Sequence, residues 1–75
     1  MQRRYPELDG VRLRQLRLER ALTQMDLSRM TGLSVDAISR LENELRFAQV
    51  STVRRLAEAL GVEPRELLKT QGDNG

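Results

Sequence analysis

Apolar positions along the chain recur at helical spacing, and Pro6, Gly10, Gly32, Gly61 and Pro64 cut the pattern into helix-length pieces. No alternating strand pattern intervenes. The first piece predicts a helix from about Asp9 to Arg20, with Asp9 as a candidate N-cap and an earlier start at Pro6 as the alternative. At ~100° per residue, Leu13 and Leu16 share a sector with the stems of Arg17 and Arg20, while Val11 and Leu18 fall nearly opposite. Leu13 and Leu16 are the favoured core face. The opposite sector is left either exposed or in contact with a partner.

A second helix opens at Thr23, where Thr23 and Asp26 have the spacing of a capping box. Leu27 and Met30 are its expected buried edge, and Gly32 its end. Ser34 then caps a third helix running from Val35 to about Asn43. Two helices joined by about three residues, with Gly in the turn, have the pattern of a helix-turn-helix. Farther on, Val50, Val53, Leu56, Ala57 and Leu60 form the apolar stripe of a fourth helix, which Gly61 stops. Pro64 suits the first turn of a fifth, Glu63 to about Lys69, buried through Leu67 and Leu68. The expected architecture is all-α. Residues 1–8 read as an N-terminal arm, 9–69 as the domain with its helix-turn-helix at about 24–43, and 70–75 as a polar tail.

Composition narrows the chemistry. A chain of 75 residues allows one small domain. Cys and His are both absent, which removes disulfides, thiolate zinc sites and the usual general base. No nucleophile–base pair, metal-ligand cluster or glycine-rich phosphate loop is present, so the expectation is a non-enzyme with no cofactor. With Tyr5 and Phe47 the only aromatics, a stacking platform for single-stranded nucleic acid is excluded. No stretch reaches the ~20 apolar residues of a membrane span, and the first ten residues lack a signal peptide's apolar segment. A cytoplasmic, nucleoid-associated location is expected.

The net charge of +2 is unevenly spread. Residues 1–20 hold six arginines against three acids, residues 21–50 three bases against four acids, and 51–75 four against four. Any basic patch therefore depends on folding. Helix three carries the most information. Ala37, Ile38 and Leu41 make its core face, while Val35, Asp36, Ser39, Arg40 and Asn43 project on the other side. Short polar residues around one arginine suit a helix in the DNA major groove, although an ordinary solvated face would look the same. There Arg40 could pair with guanine and Val35 could meet a thymine methyl.

Between Leu13 and Leu60 the chain resembles the phage-repressor and Cro family of helix-turn-helix proteins, the Xre type. The resemblance rests on LTQ at the start of helix two, TGLS at the turn, ISRLEN in helix three and LAEALGV in helix four, in order and at family spacing. It covers about two-thirds of the chain and implies a compact five-helix, lambda-repressor-like domain. It also implies a regulator that binds a short, (pseudo)palindromic operator in double-stranded DNA, as a repressor and homodimer. Phage or plasmid repressors, restriction–modification controllers and antitoxins are the implied settings. A protein-binding module of the same fold, with an unidentified partner, is the alternative.

Residue by residue, Val35, Asp36, Ser39 and Arg40 match base-facing positions, and Thr23, Gln24, Ser34, Asn43 and Arg46 match phosphate-facing ones. Asp36 could accept from cytosine N4 or simply favour the helix N-terminus. Arg17 and Glu42 match positions the family joins by a salt bridge between helices one and three; the alternative pairs Glu42 with Arg46 at i+4. The implied dimer surface includes Leu45, Phe47, Leu67 and Leu68. Three departures stand out: Ala21 and Glu44 where glycine is common, and Ala48 where proline is frequent.

Overall fold

A computed structural model describes residues 6–43 and 47–69. Four α-helices follow in order: α1 (Gly10–Glu19), α2 (Gln24–Thr31), α3 (Val35–Asn43) and α4 (Val50–Leu60). A single 3-10 helix, Pro64–Leu67, follows them. Their starts and stops have local causes. Asp9 accepts from the Arg12 amide at 3.1 Å and so caps α1. Thr23 and Asp26 exchange side-chain to backbone hydrogen bonds, both 2.9 Å, closing the capping box of α2. Those bonds from Thr23 hold the Asp26 carboxyl below its ordinary pKa.

Leu13 and Leu16 from α1, Leu27 from α2, Ile38 and Leu41 from α3, and Val53, Leu56 and Leu60 from α4 converge on one buried core. Each such side chain contributes on the order of 1.5–3 kcal/mol through burial. Val11 and Leu18 lie on the exposed side of α1, leaving Leu13 and Leu16 as its inward pair. Two sequence expectations change. Met30 is exposed, and Thr31 is the buried residue beside it. Thr31 Oγ1 donates to Leu27 O at 2.7 Å and accepts the Leu33 amide at 3.2 Å, so its hydroxyl closes the turn from inside. Val50 also leaves the stripe; it sits in the first turn of α4, about half exposed.

The fifth helix is shorter than predicted. Leu68 is extended, with φ −103° and ψ 145°, because its backbone bridges antiparallel to Leu8. The boundary of the N-terminal arm moves for the same reason. Pro6 to Asp9 run between two other segments: the Ala48 amide donates to Pro6 O at 3.1 Å, Asp9 N–H to Leu67 O at 2.7 Å, and Lys69 N–H to Glu7 O at 3.0 Å. Leu8 is fully buried there. A proline at position 48 has no N–H and could not make the bond to Pro6, which gives Ala48 a structural reason.

Ala21 ends α1 with φ 55°, a left-handed conformation that costs a non-glycine residue about 1–2 kcal/mol. The turn holds because the amides of Ala21 and Leu22 donate to Leu18 O and Arg17 O, at 2.9 and 3.1 Å. Arg20 adds a long-range tie, donating from Nε to Leu60 O at 2.7 Å at the end of α4. Ala21→Gly relieves the strain while adding unfolded-chain entropy, so it is expected to stabilise the domain by up to about 1 kcal/mol. Chemical denaturation measures this, and a loss of stability would show that the turn is unstrained.

Candidate functional site

The candidate site is the exposed side of α3 together with the helix starts around it. Ser34 caps α3, its Oγ accepting the Ala37 amide at 3.0 Å. The preceding turn is short because Gly32 takes φ 81° and ψ 3°, where a Cβ is disfavoured. Ser28 fastens the turn further by donating its hydroxyl to Leu33 O at 2.5 Å. On α3 itself, Ile38 and Leu41 enter the core while Val35, Asp36, Arg40 and Asn43 remain exposed. Ser39 is half-buried between them.

Orientation of α3 comes from a buried polar cluster at its far end. Arg17 Nε donates to Glu42 Oε2 at 2.6 Å and Nη2 to Oε1 at 3.0 Å, a bidentate pair with side chains only 8% and 1% exposed. Arg17 Nη1 donates in addition to Leu22 O at 2.8 Å, and Gln24 Nε2 to Glu42 Oε1 at 3.1 Å. Both carboxylate oxygens are therefore satisfied, which is what makes a buried charge tolerable. Hydrogen bonding to Glu42 raises the Arg17 pKa above its already high ordinary value, so the guanidinium stays charged. One cluster thus joins α1, the α1–α2 turn, the first residue of α2 and the last turn of α3.

The residues read from sequence as DNA contacts divide by how far their polar groups are already engaged. Gln24 uses one amide N–H on Glu42 and retains a second donor. Thr23 and Ser34 accept backbone amides through their hydroxyl oxygens, which leaves each O–H free to donate outward. Asn43 Nδ2 donates back to Ser39 O at 2.8 Å, leaving its carbonyl oxygen exposed. Arg40 lies 3.7 Å from Asp36, one turn earlier on α3. Arg46 and Leu45 lie outside the described residues.

Of the other expected dimer residues, Phe47 is 55% exposed and Leu68 is half-buried against the core. Leu67 is corrected outright: it is fully buried within the domain and has no surface to offer a second copy. Sequence reasoning missed the Arg20–Leu60 tie and the hydroxyl lock made by Ser28 and Thr31. Their partners are backbone atoms or residues in other helices, so helical periodicity carries no sign of them.

Comparison with known proteins agrees with this arrangement. A family model described as a helix-turn-helix domain matches residues 10–70. The HTH-type transcriptional repressor RghR of Bacillus subtilis is 41% identical over 64 residues, covering 84% of this chain and 47% of its own. Thus the chain spans about half the length of that relative. The HTH-type transcriptional regulator y4dJ of Sinorhizobium fredii is 39% identical over 62 residues, covering 83% of this chain and 80% of its own. Among solved structures, the restriction-modification controller protein C.AhdI from Aeromonas hydrophila superposes with a TM-score of 0.74 at 37% identity, over 79% of this chain and 89% of its own. With the fold, the short Gly32 turn and an outward, largely polar face on α3 all in place, the chain belongs to the Xre-like helix-turn-helix family.

Proposed function

We propose that this chain recognises a specific short operator in double-stranded DNA and represses transcription there as a homodimer. The observation that carries the reading is the contrast between the two sides of α3. Its inner side is fixed by Ile38, Leu41 and the bidentate Arg17–Glu42 pair, while its outer side presents Val35, Asp36, Arg40 and Asn43 with no other element packed over them among the described residues. A rigid helix with a free polar face meets the need for base contacts held in register. In this reading Val35, Asp36, Ser39 and Arg40 face the bases, while Thr23, Gln24, Ser34, Asn43 and Arg46 hold the phosphate backbone.

Dimerisation would use the exposed side chains of Phe47 and Val50 near the start of α4, with Leu45 as the further residue the family resemblance implies. A repressor and a restriction–modification controller among the relatives support a regulatory setting. Selection from a random duplex library at near-physiological salt tests the proposal. The expected product is an inverted repeat with half-sites about one helical turn apart. A lone half-site overturns the dimer, and no enrichment overturns the operator. Arg40→Ala is expected to cost ~1–3 kcal/mol on the selected site and to flatten preference at one base pair. Equal weakening on every sequence would assign Arg40 to a phosphate instead.

A further inference from the structure

The exposed charges of α3 cancel. Arg40 is the helix's one base, Glu42 is neutralised internally by Arg17, and the remaining acid, Asp36, places Oδ2 3.7 Å from Arg40 Nε. Both members of this pair are well exposed, with side chains 58% and 84% accessible for Arg40 and Asp36. Exposed pairs of this kind add little to stability. The contact has a directional consequence, however. An acid one turn before an arginine draws the guanidinium back along the helix, and it does so here through Nε. Neither terminal nitrogen has a hydrogen-bond partner among the described residues, so both remain able to meet guanine O6 and N7.

From this the geometry points to Asp36 as a positioning and specificity-determining residue that acts through Arg40; the inference rests on the operator-binding reading above. Asp36 has two effects. It aims the guanidinium at a base edge, and it cancels the attraction that an unpaired arginine would exert on phosphates of any sequence. Non-specific binding is supplied almost wholly by that attraction. A neutral recognition face gives up affinity everywhere and recovers it only where Arg40 meets its guanine, which widens the ratio between right and wrong sites. An acid facing a polyanion thereby acquires a role, distinct from a direct bond to cytosine N4 or from stabilising the first helical turn.

The test compares four proteins on the same random duplex library and on an unrelated duplex: wild type, Asp36→Asn, Arg40→Ala and the double variant. Asparagine keeps the size of the side chain, and thermal unfolding checks that each variant is folded. Asp36→Asn is expected to bind the unrelated duplex several-fold more tightly and to shrink the preference at the base pair read by Arg40 about 5-fold or more. In the Arg40→Ala background, Asp36→Asn is expected to leave that base pair unchanged. An unaltered preference profile in Asp36→Asn overturns the proposal, as does an Arg40→Ala profile that flattens no base pair. A change at a different base pair that persists without Arg40 overturns it in favour of direct contact. Failure of the wild type to enrich any sequence removes the operator reading as well, so the two failures are told apart by the wild-type arm alone.

Discussion

Replacing Glu42 with alanine is expected to lower stability by about 3–5 kcal/mol, the cost of removing one partner of a buried, hydrogen-bonded charge pair. The carboxylate side chain is 1% exposed and accepts three hydrogen bonds, two from Arg17 and one from Gln24. Without it, the Arg17 guanidinium remains charged in a site nearly closed to water. A domain of this size has a total stability of roughly 4–11 kcal/mol, so the loss takes a large share of it. Thermal unfolding followed by circular dichroism should show the midpoint falling by about 12 °C or more. A companion Arg17→Ala, Glu42→Ala double variant is expected to lose less than the two single losses combined, with coupling above ~0.5 kcal/mol. Additive losses would mean that each side chain is held by its other contacts and that the pair does not fix α3.

The second large effect belongs to Gly10→Ala, where two rules give opposite signs. Helix propensity favours alanine over glycine inside a helix by about 1 kcal/mol. Packing opposes it. A Cβ on Gly10 would lie 2.4 Å from Leu41 O and 2.8 Å from Glu42 O, both backbone atoms at the C-terminal end of α3. Neither can rotate aside as a side chain would, so α1 and α3 must separate and disturb the Arg17–Glu42 geometry between them. Overpacking of this kind costs typically 1–3 kcal/mol, and a backbone obstacle places it at the upper end. The net expectation is a loss of about 2 kcal/mol, read from the denaturation midpoint. A more stable variant would show that the helices yield freely at this crossing.

Much of the fold is written in local pattern. Leu13 and Leu16, the Thr23–Asp26 box, the Gly32 turn, the Ser34 cap and the α4 stripe each follow from residues within one or two helical turns. The outward face of α3 is legible for the same reason, since Ile38 and Leu41 fix its phase. What escapes has distant or backbone partners. Met30 and Thr31 are adjacent, and in a helix of eight residues the periodicity does not decide which turns inward; the Thr31 hydroxyl decides it by bonding Leu27 O and the Leu33 amide. Arg20 has its partner 40 residues away at Leu60. Leu67 is buried as its place in the last helix implies, but Leu68 turns extended to meet Leu8, a pairing that no helical wheel contains.

That pairing also sets an order of events during synthesis. Two pairs of elements adjacent in the chain, α2 with α3 and α4 with the 3-10 helix, can pack as soon as both are made, while α1 waits for α3 and α2 for α4. Leu8 instead awaits a partner made 60 residues later, at Leu68. At ~5–20 residues per second the delay is roughly 3–12 s, during which an apolar side chain, the Glu7 carbonyl and the Asp9 amide lack their final contacts. A nascent chain that has not reached Leu67 can hold a helix-turn-helix but not a closed domain. The seam between its first and last segments is therefore the last part of the core to close, and the unfinished protein leaves Leu8 without its final cover until then.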